Sequence, residues 1–129
     1  MSEPVWPPTE LVIAIHQEQL AEFGGPDGLR DAGLLESALG RPRNQWAYEN
    51  KDLLELAATY VFGIVKNHPF IDGNKRAGFL TMVAFLGLNG IDFLADEAEA
   101  ATIVRDVASG KVGEAGLARW ITANWPKSS

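Results

Sequence analysis

The chain has 129 residues, 47% of them hydrophobic, and no cysteine. This suits one globular domain spanning 1–129 and excludes a disulfide framework, a thiolate nucleophile and a zinc–sulfur site. With 11 basic against 17 acidic residues the net charge is −6, which argues against a nucleic-acid binder that works through a broad phosphate footprint but leaves room for a small local anion site. The apolar runs are broken by Glu55, Lys66 and Gly87, too soon to span a membrane. The opening MSEPVWPPTE has no basic region leading into an apolar one, so the expectation is a cytoplasmic protein.

In chain order, Thr9 can cap a first helix, ELVIAIHQEQLAEF, whose apolar positions Leu11, Ile15 and Leu20 recur at helical spacing and which Gly24–Gly25 ends. Asp31 can cap a second helix through about Leu39, with Arg41–Pro42 breaking it. RPRNQWAYENK shows no helical period and reads as a loop or a short flap-like hairpin, with Trp46 and Tyr48 a candidate partner-facing pair. Asp52 caps a third helix to about Asn67, which ends at His68–Pro69 because a residue before proline resists the helical region. A fourth opens at Asn74 or its neighbours and closes at Asn89–Gly90. IDFLAD is an extended link, and two further helices cover roughly 96–109 and 112–124. With no sustained alternating pattern, the fold class is all-α, a compact bundle of about six helices. The third and fourth, apolar nearly all round, form the central pair.

Between those two helices lies HPFIDGNKRAG, His68 to Gly78. Phe70 is the expected anchor of this loop in the core, which would hold the polar residues rigidly. The first N–H groups of the fourth helix have no intrahelical partners and favour an anion. Yet Lys75 and Arg76 occupy this first turn, where cations are disfavoured by about 0.3–1 kcal/mol each. Each residue alone has an ordinary explanation: Asp72 as cap, Gly73 as turn, Lys75 and Arg76 as solvated charges. Together they make sense if a phosphate-bearing ligand sits on top.

Histidine is the side chain suited to taking a proton from a hydroxyl near neutral pH, which points to His68. Asp72 is a hard oxygen ligand, and magnesium bridging phosphates needs only one or two carboxylates. Asn74 can bond either a phosphate oxygen or the loop's own backbone. Lys75 and Arg76 can neutralise a transferring group. This is a set for phosphoryl or nucleotidyl transfer. GKVGEAG lacks the strand and the lysine–serine ending of a P-loop and reads as a helix terminus and turn. His16, mid-helix, reads as a packed histidine that supports the site without touching substrate.

HPFIDGNKR resembles the signature of the Fic/Doc superfamily, H-x-F-x-[D/E]-G-N-[G/K]-R, and GGPDGLRDAGLLESALGRP resembles the N-terminal half of its Doc (death-on-curing) branch. The resemblance implies an all-α fold and transfer of part of a nucleotide to a protein hydroxyl. It implies His68 as base, Asp72 as magnesium ligand, and Gly73, Asn74 and Arg76 as the phosphate cradle. It further implies ATP and Mg2+, a toxin of a toxin–antitoxin pair, and a small antitoxin whose helical segment covers the site. The implied target lies in the translation machinery, elongation factor Tu in particular.

Fic enzymes that attach AMP usually carry glycine where this chain has Lys75 and a second arginine where it has Phe79. The Doc branch shares the lysine, lacks that arginine and is similar to a kinase moving the terminal phosphate. The expectation is therefore a Doc-like Ser/Thr kinase, with an AMP-transferase and a catalytically idle helical binding module as rivals. The self-silencing pattern [S/T]-x-x-x-E-[G/N] of some Fic enzymes does not occur, so control is expected from a separate chain.

Overall fold

Helix ends in this chain are set by local chemistry, and burial decides which faces turn inward. The computed structural model describes residues 2–126; residues 1 and 127–129 of the expected domain lie outside them. Six helices follow in order: α1 Thr9–Phe23, α2 Ala32–Glu49, α3 Leu53–Asn67, α4 Asn74–Leu88, α5 Glu97–Ala108 and α6 Glu114–Ala123. Among the described residues, strand-like pairing is confined to one isolated antiparallel bridge between Leu29 and Phe70. No helix among the described residues is long and apolar enough to cross a membrane. The all-α bundle read from the sequence is the architecture found.

The start of α1 differs from expectation. Pro8 is the cap residue, its carbonyl accepting from the N–H groups of Leu11 (3.0 Å) and Val12 (3.3 Å), while Thr9 is already helical and no side chain caps the end. Proline at 8 holds the extended conformation a cap requires (φ −68°, ψ 154°). The buried positions of α1 are Val12 and His16, with Leu11, Ile15 and Leu20 half-buried beside them.

The larger correction is α2. Asp31 caps it, accepting from the Leu34 N–H at 3.0 Å, but the helix runs through Pro42 to Glu49, so 41–51 holds no hairpin. Proline in a helix interior costs about 3 kcal/mol through a lost hydrogen bond and a clash. Here Leu35, Ala38, Leu39, Pro42 and Gln45 form one buried face at helical spacing, and burial of that face against α3 outweighs the penalty. The aromatic pair separates accordingly: Trp46 packs on the core while Tyr48 is 85% exposed.

Helix α3 is the hub. Its capping box is complete, the Asp52 carboxylate accepting from the Glu55 N–H (2.9 Å) and Glu55 from the Asp52 N–H (3.3 Å). Nine of its positions, from Leu56 to Val65, are buried, and it touches α2, α4, α5 and α6. Burial pushes the Tyr60 phenol up, so that ring sits in the core uncharged, 4.9 Å from Phe85. Helix α4 packs on α3 and is flanked by α1 and α5, which leaves its N-terminal turn open between those two. α3 and α2 meet at Gly63, where an added Cβ would lie 3.3 Å from Ala38 Cβ and 3.4 Å from its Cα. Gly63→Leu must separate the two helices and should cost about 1–3 kcal/mol. A lower urea midpoint is the expected reading, and an unchanged midpoint would contradict this close packing.

Candidate active site

Helix α3 stops at Asn67 because His68 turns left-handed (φ 53°, ψ 55°), its N–H donating to Ile64 O at 3.1 Å, and because Pro69 cannot extend the helix. A left-handed conformation costs a non-glycine residue about 1–2 kcal/mol. Phe70 then plunges into the core, 1% exposed, as expected of the loop's anchor. The Asn74 side chain closes the loop from below, accepting from Phe70 N–H (3.0 Å) and donating to Phe70 O (2.9 Å). Gly73, at φ 78°, supplies the left-handed turn into α4 that a side chain would strain.

Two segments hold this loop from behind. His16 stacks on the Phe70 ring with centroids 3.8 Å apart and planes at 8°. Its Nε2 lies 2.7 Å from Asp72 O; a carbonyl only accepts, so Nε2–H donates and the tautomer is set. The segment between α1 and α2 lies along the other side. Arg30 and Asp31 N–H both donate to Pro69 O (2.7 and 3.0 Å), and Ile71 N–H donates to Gly28 O (3.1 Å). The Arg30 guanidinium donates to His68 O from Nε (2.8 Å) and to Asn67 O from a terminal nitrogen (3.0 Å). Gly25 lies against the Asp72 carboxylate, whose Oδ2 would be 2.8 Å from a Cβ added there.

The result is a cleft of about 630 Å³ between the ends of α1 and α3, the start of α4 and the face of α5. His68, Asp72, Gly73, Asn74, Lys75 and Arg76 all line it. Phe70 does not; it lies beneath. The two roles left open for Asn74 are resolved by position: its side chain is 4% exposed and engaged with the loop's backbone, so what it can offer an anion is its main-chain N–H. Helix α4 begins with no side-chain cap and no acid in its first turn, so its leading N–H groups and dipole face the cleft uncompensated.

Charge reinforces this. Among the described residues the ion pairs are Arg41–Glu114 and Lys51–Glu55, so Lys75 and Arg76 have no carboxylate partner within 4 Å. The Arg76 guanidinium lies 4.0 Å from the centroid of Phe23, a half-exposed ring on the opposite lip that orients the cation while leaving its N–H edges free. Arg105 of α5 adds a third cation to the lining, which also carries Glu22 of α1 and Glu97 of α5. Sequence reasoning missed Arg105, Phe23, Gly25 and Arg30. Gly25 and Arg30 lie in the Doc-like stretch 24–42, but nothing local ties any of the four to the loop, because each reaches the site from an element distant in the chain. Phe79 also lines the cleft, half-buried and 6.4 Å from the Trp120 ring, and supplies no charge.

The comparisons with known proteins agree with this arrangement. The model of the Fic/DOC family matches residues 6–86, a span that includes α1 to α3, the whole loop and all but the last two residues of α4. Over 110 residues, 84% of the chain and 86% of the relative, it is 35% identical to a protein named protein kinase Doc from Escherichia phage P1. Over 78 residues, 57% of the chain and 58% of the relative, it is 37% identical to a protein named toxin Doc from Mycolicibacterium smegmatis. A loop closed between two buried helices, a histidine at its start and an uncapped helix at its end thus accompany similarity across most of the chain: it belongs to the Fic/DOC family.

Proposed function

We propose that the chain is a Doc-like toxin that transfers the γ-phosphate of ATP to a Ser or Thr hydroxyl of a protein. The observation that carries this reading is the uncapped start of α4, with Lys75 and Arg76 in no ion pair among the described residues, facing the same cleft as His68. The name of the phage P1 relative, a protein kinase, supports phosphate as the group moved. So does Phe79, which puts no charge at the position where AMP-attaching Fic enzymes usually carry a second arginine.

In this mechanism His68 takes the proton of the substrate hydroxyl as its oxygen bonds to the γ-phosphorus. The bond from that phosphorus to the β–γ bridging oxygen breaks, and ADP leaves with the negative charge. Lys75, Arg76 and the first N–H groups of α4 stabilise the charge that spreads over the transferring group. Asp72 fits magnesium, which takes one or two carboxylates and fills its remaining positions with phosphate and water oxygens. Bound there, the metal would supply neutralisation of the phosphate charge. The Doc resemblance points to a translation factor as substrate, elongation factor Tu first, in the cytoplasm of a bacterial host. It also points to a small antitoxin that lays a helical segment in the open cleft.

His68→Ala should lower ATP-dependent labelling of a purified translation factor by about 10²–10⁴ with the melting temperature unchanged, since His68 is exposed. A folded His68→Ala protein with wild-type activity would remove the base from the mechanism. Asp72→Ala should raise the magnesium concentration needed for half-maximal activity. Gly25→Ala, which displaces the same carboxylate, should shift that requirement in the same direction. Full activity in the presence of a chelator would refute the metal role. Expressed alone the protein should arrest bacterial growth, and co-expression of the small protein encoded beside it should restore growth. Harmless expression of protein shown to be active would contradict the toxin reading.

A further inference from the structure

We infer that Arg30 is a positioning residue for the catalytic base: its guanidinium clasps the two carbonyls at the end of α3 and thereby aims His68 into the cleft. The inference rests on the reading of His68 as base given above. Arg30 stands in the segment between α1 and α2, 38 residues from His68, and is bonded to its carbonyl at 2.8 Å and to that of Asn67 at 3.0 Å. A planar guanidinium fixes two acceptors in one geometry, which a lysine ammonium cannot do.

His68 needs such a hold. It is one of two non-glycine residues at positive φ among the described residues, the other being Asn50. Asparagine tolerates that region through its short polar side chain, and glycine is the common residue at a helix C-terminus of this shape. Neither can serve as the base. A histidine kept left-handed, exposed to solvent and followed by proline gains little from packing of its own ring. What fixes its direction is its backbone, and the backbone is held on one side by the α3 ladder through Ile64 O and on the other by Arg30.

The division of labour within this segment makes the inference separable from general loop stability. Pro69 is held by the main-chain N–H groups of Arg30 and Asp31, and Ile71 N–H by the Gly28 carbonyl. All of these are main-chain bonds and survive a change of the Arg30 side chain to Gln or Lys. The α4 turn is held by His16 and Asn74, which Arg30 does not touch. Replacing the Arg30 side chain therefore loosens the histidine and leaves the phosphate-binding turn in place. Asn67 supplies the control: its side chain ties the same helix end to α2 through Leu34 O at 3.0 Å without acting on the His68 carbonyl.

The experiment measures kcat and KM for ATP, with the translation factor as acceptor, for Arg30→Gln, Arg30→Lys and Asn67→Ala, with His68→Ala assayed in parallel. Misplacing a reacting group by about 1 Å costs about 10²-fold, so Arg30→Gln should lower kcat by about tenfold or more, and Arg30→Lys by less. KM for ATP should stay within about twofold for both, and Asn67→Ala should keep kcat within about twofold at a comparable melting temperature, as expected if only alignment in the reaction is lost. The His68 ring signals in NMR spectra should broaden or multiply in Arg30→Gln and not in Asn67→Ala. Wild-type kcat in Arg30→Gln beside an inactive His68→Ala overturns the inference and spares the base. Loss of kcat in Asn67→Ala equal to that in Arg30→Gln overturns it in favour of general stability. Should Arg30→Gln fail to fold, Arg30→Lys decides, and wild-type kcat there refutes the two-carbonyl clasp. An active His68→Ala protein removes both the base and the inference built on it.

Discussion

The side-chain amide of Asn74 bonds both the N–H and the C=O of Phe70, and the site depends on that closed ring. It lets α3 end and α4 begin within six residues, 68–73, with both helix termini on one cleft. The chain end of α3 delivers a histidine, and the chain start of α4 delivers free N–H groups. A looser connection would leave them to wander independently. The ring is buried, where an amide with both partners satisfied is strong and an amide missing one is costly. Phe70 beneath it and His16 stacked on Phe70 convert core packing into position for groups that are themselves exposed to solvent.

The electrostatics run against stability in a consistent direction. A first turn carrying Lys75 and Arg76, with no acid and no cap, is the reverse of what the helix dipole favours. His68 sits in a conformation that suits glycine. These unfavourable features gather at one cleft, whereas α3 starts with a complete capping box at Asp52 and α5 with a capping aspartate, Asp96, accepting from Ala98 N–H at 2.9 Å. Several local conflicts brought together at one cleft mark that place as functional. A bound phosphate would reverse the sign of the conflict, turning the repelled cations and free N–H groups into its ligands.

Much of this was legible in the sequence because the site is nearly contiguous. His68 to Arg76 bring their own helix stop, turn and helix start, so spacing alone placed them together. The six helices were legible for a similar reason, since Asp31, Asp52 and Asp96 cap locally and Gly24 and Pro69 stop locally. The stretch around Pro42 was misread because proline is a strong local breaker, and the burial that overrides it belongs to α3, which no local window contains. Arg105, Phe23 and Arg30 escaped for the same reason: a cation or a ring on a distant element looks like any solvated residue until the fold brings it in. His16 was read as a packed supporting residue, and it is one, although the carbonyl it holds could not be foreseen from its helical neighbours.

In the proposed mechanism the γ-phosphate, and not the nucleotide, moves. Lys75 stands where close approach of a phosphate to bare backbone would call for glycine, and Phe79, which lines the cleft, brings no charge of its own. A nucleotide entering with its γ-phosphate toward His68 meets both cations of the α4 turn. The direct measurement supplies wild-type protein, magnesium and a purified translation factor with ATP labelled in either the α or the γ position. Label from the γ position alone on a Ser or Thr of the acceptor is the outcome required by phosphate transfer. Label from the α position would contradict it and establish AMP transfer instead.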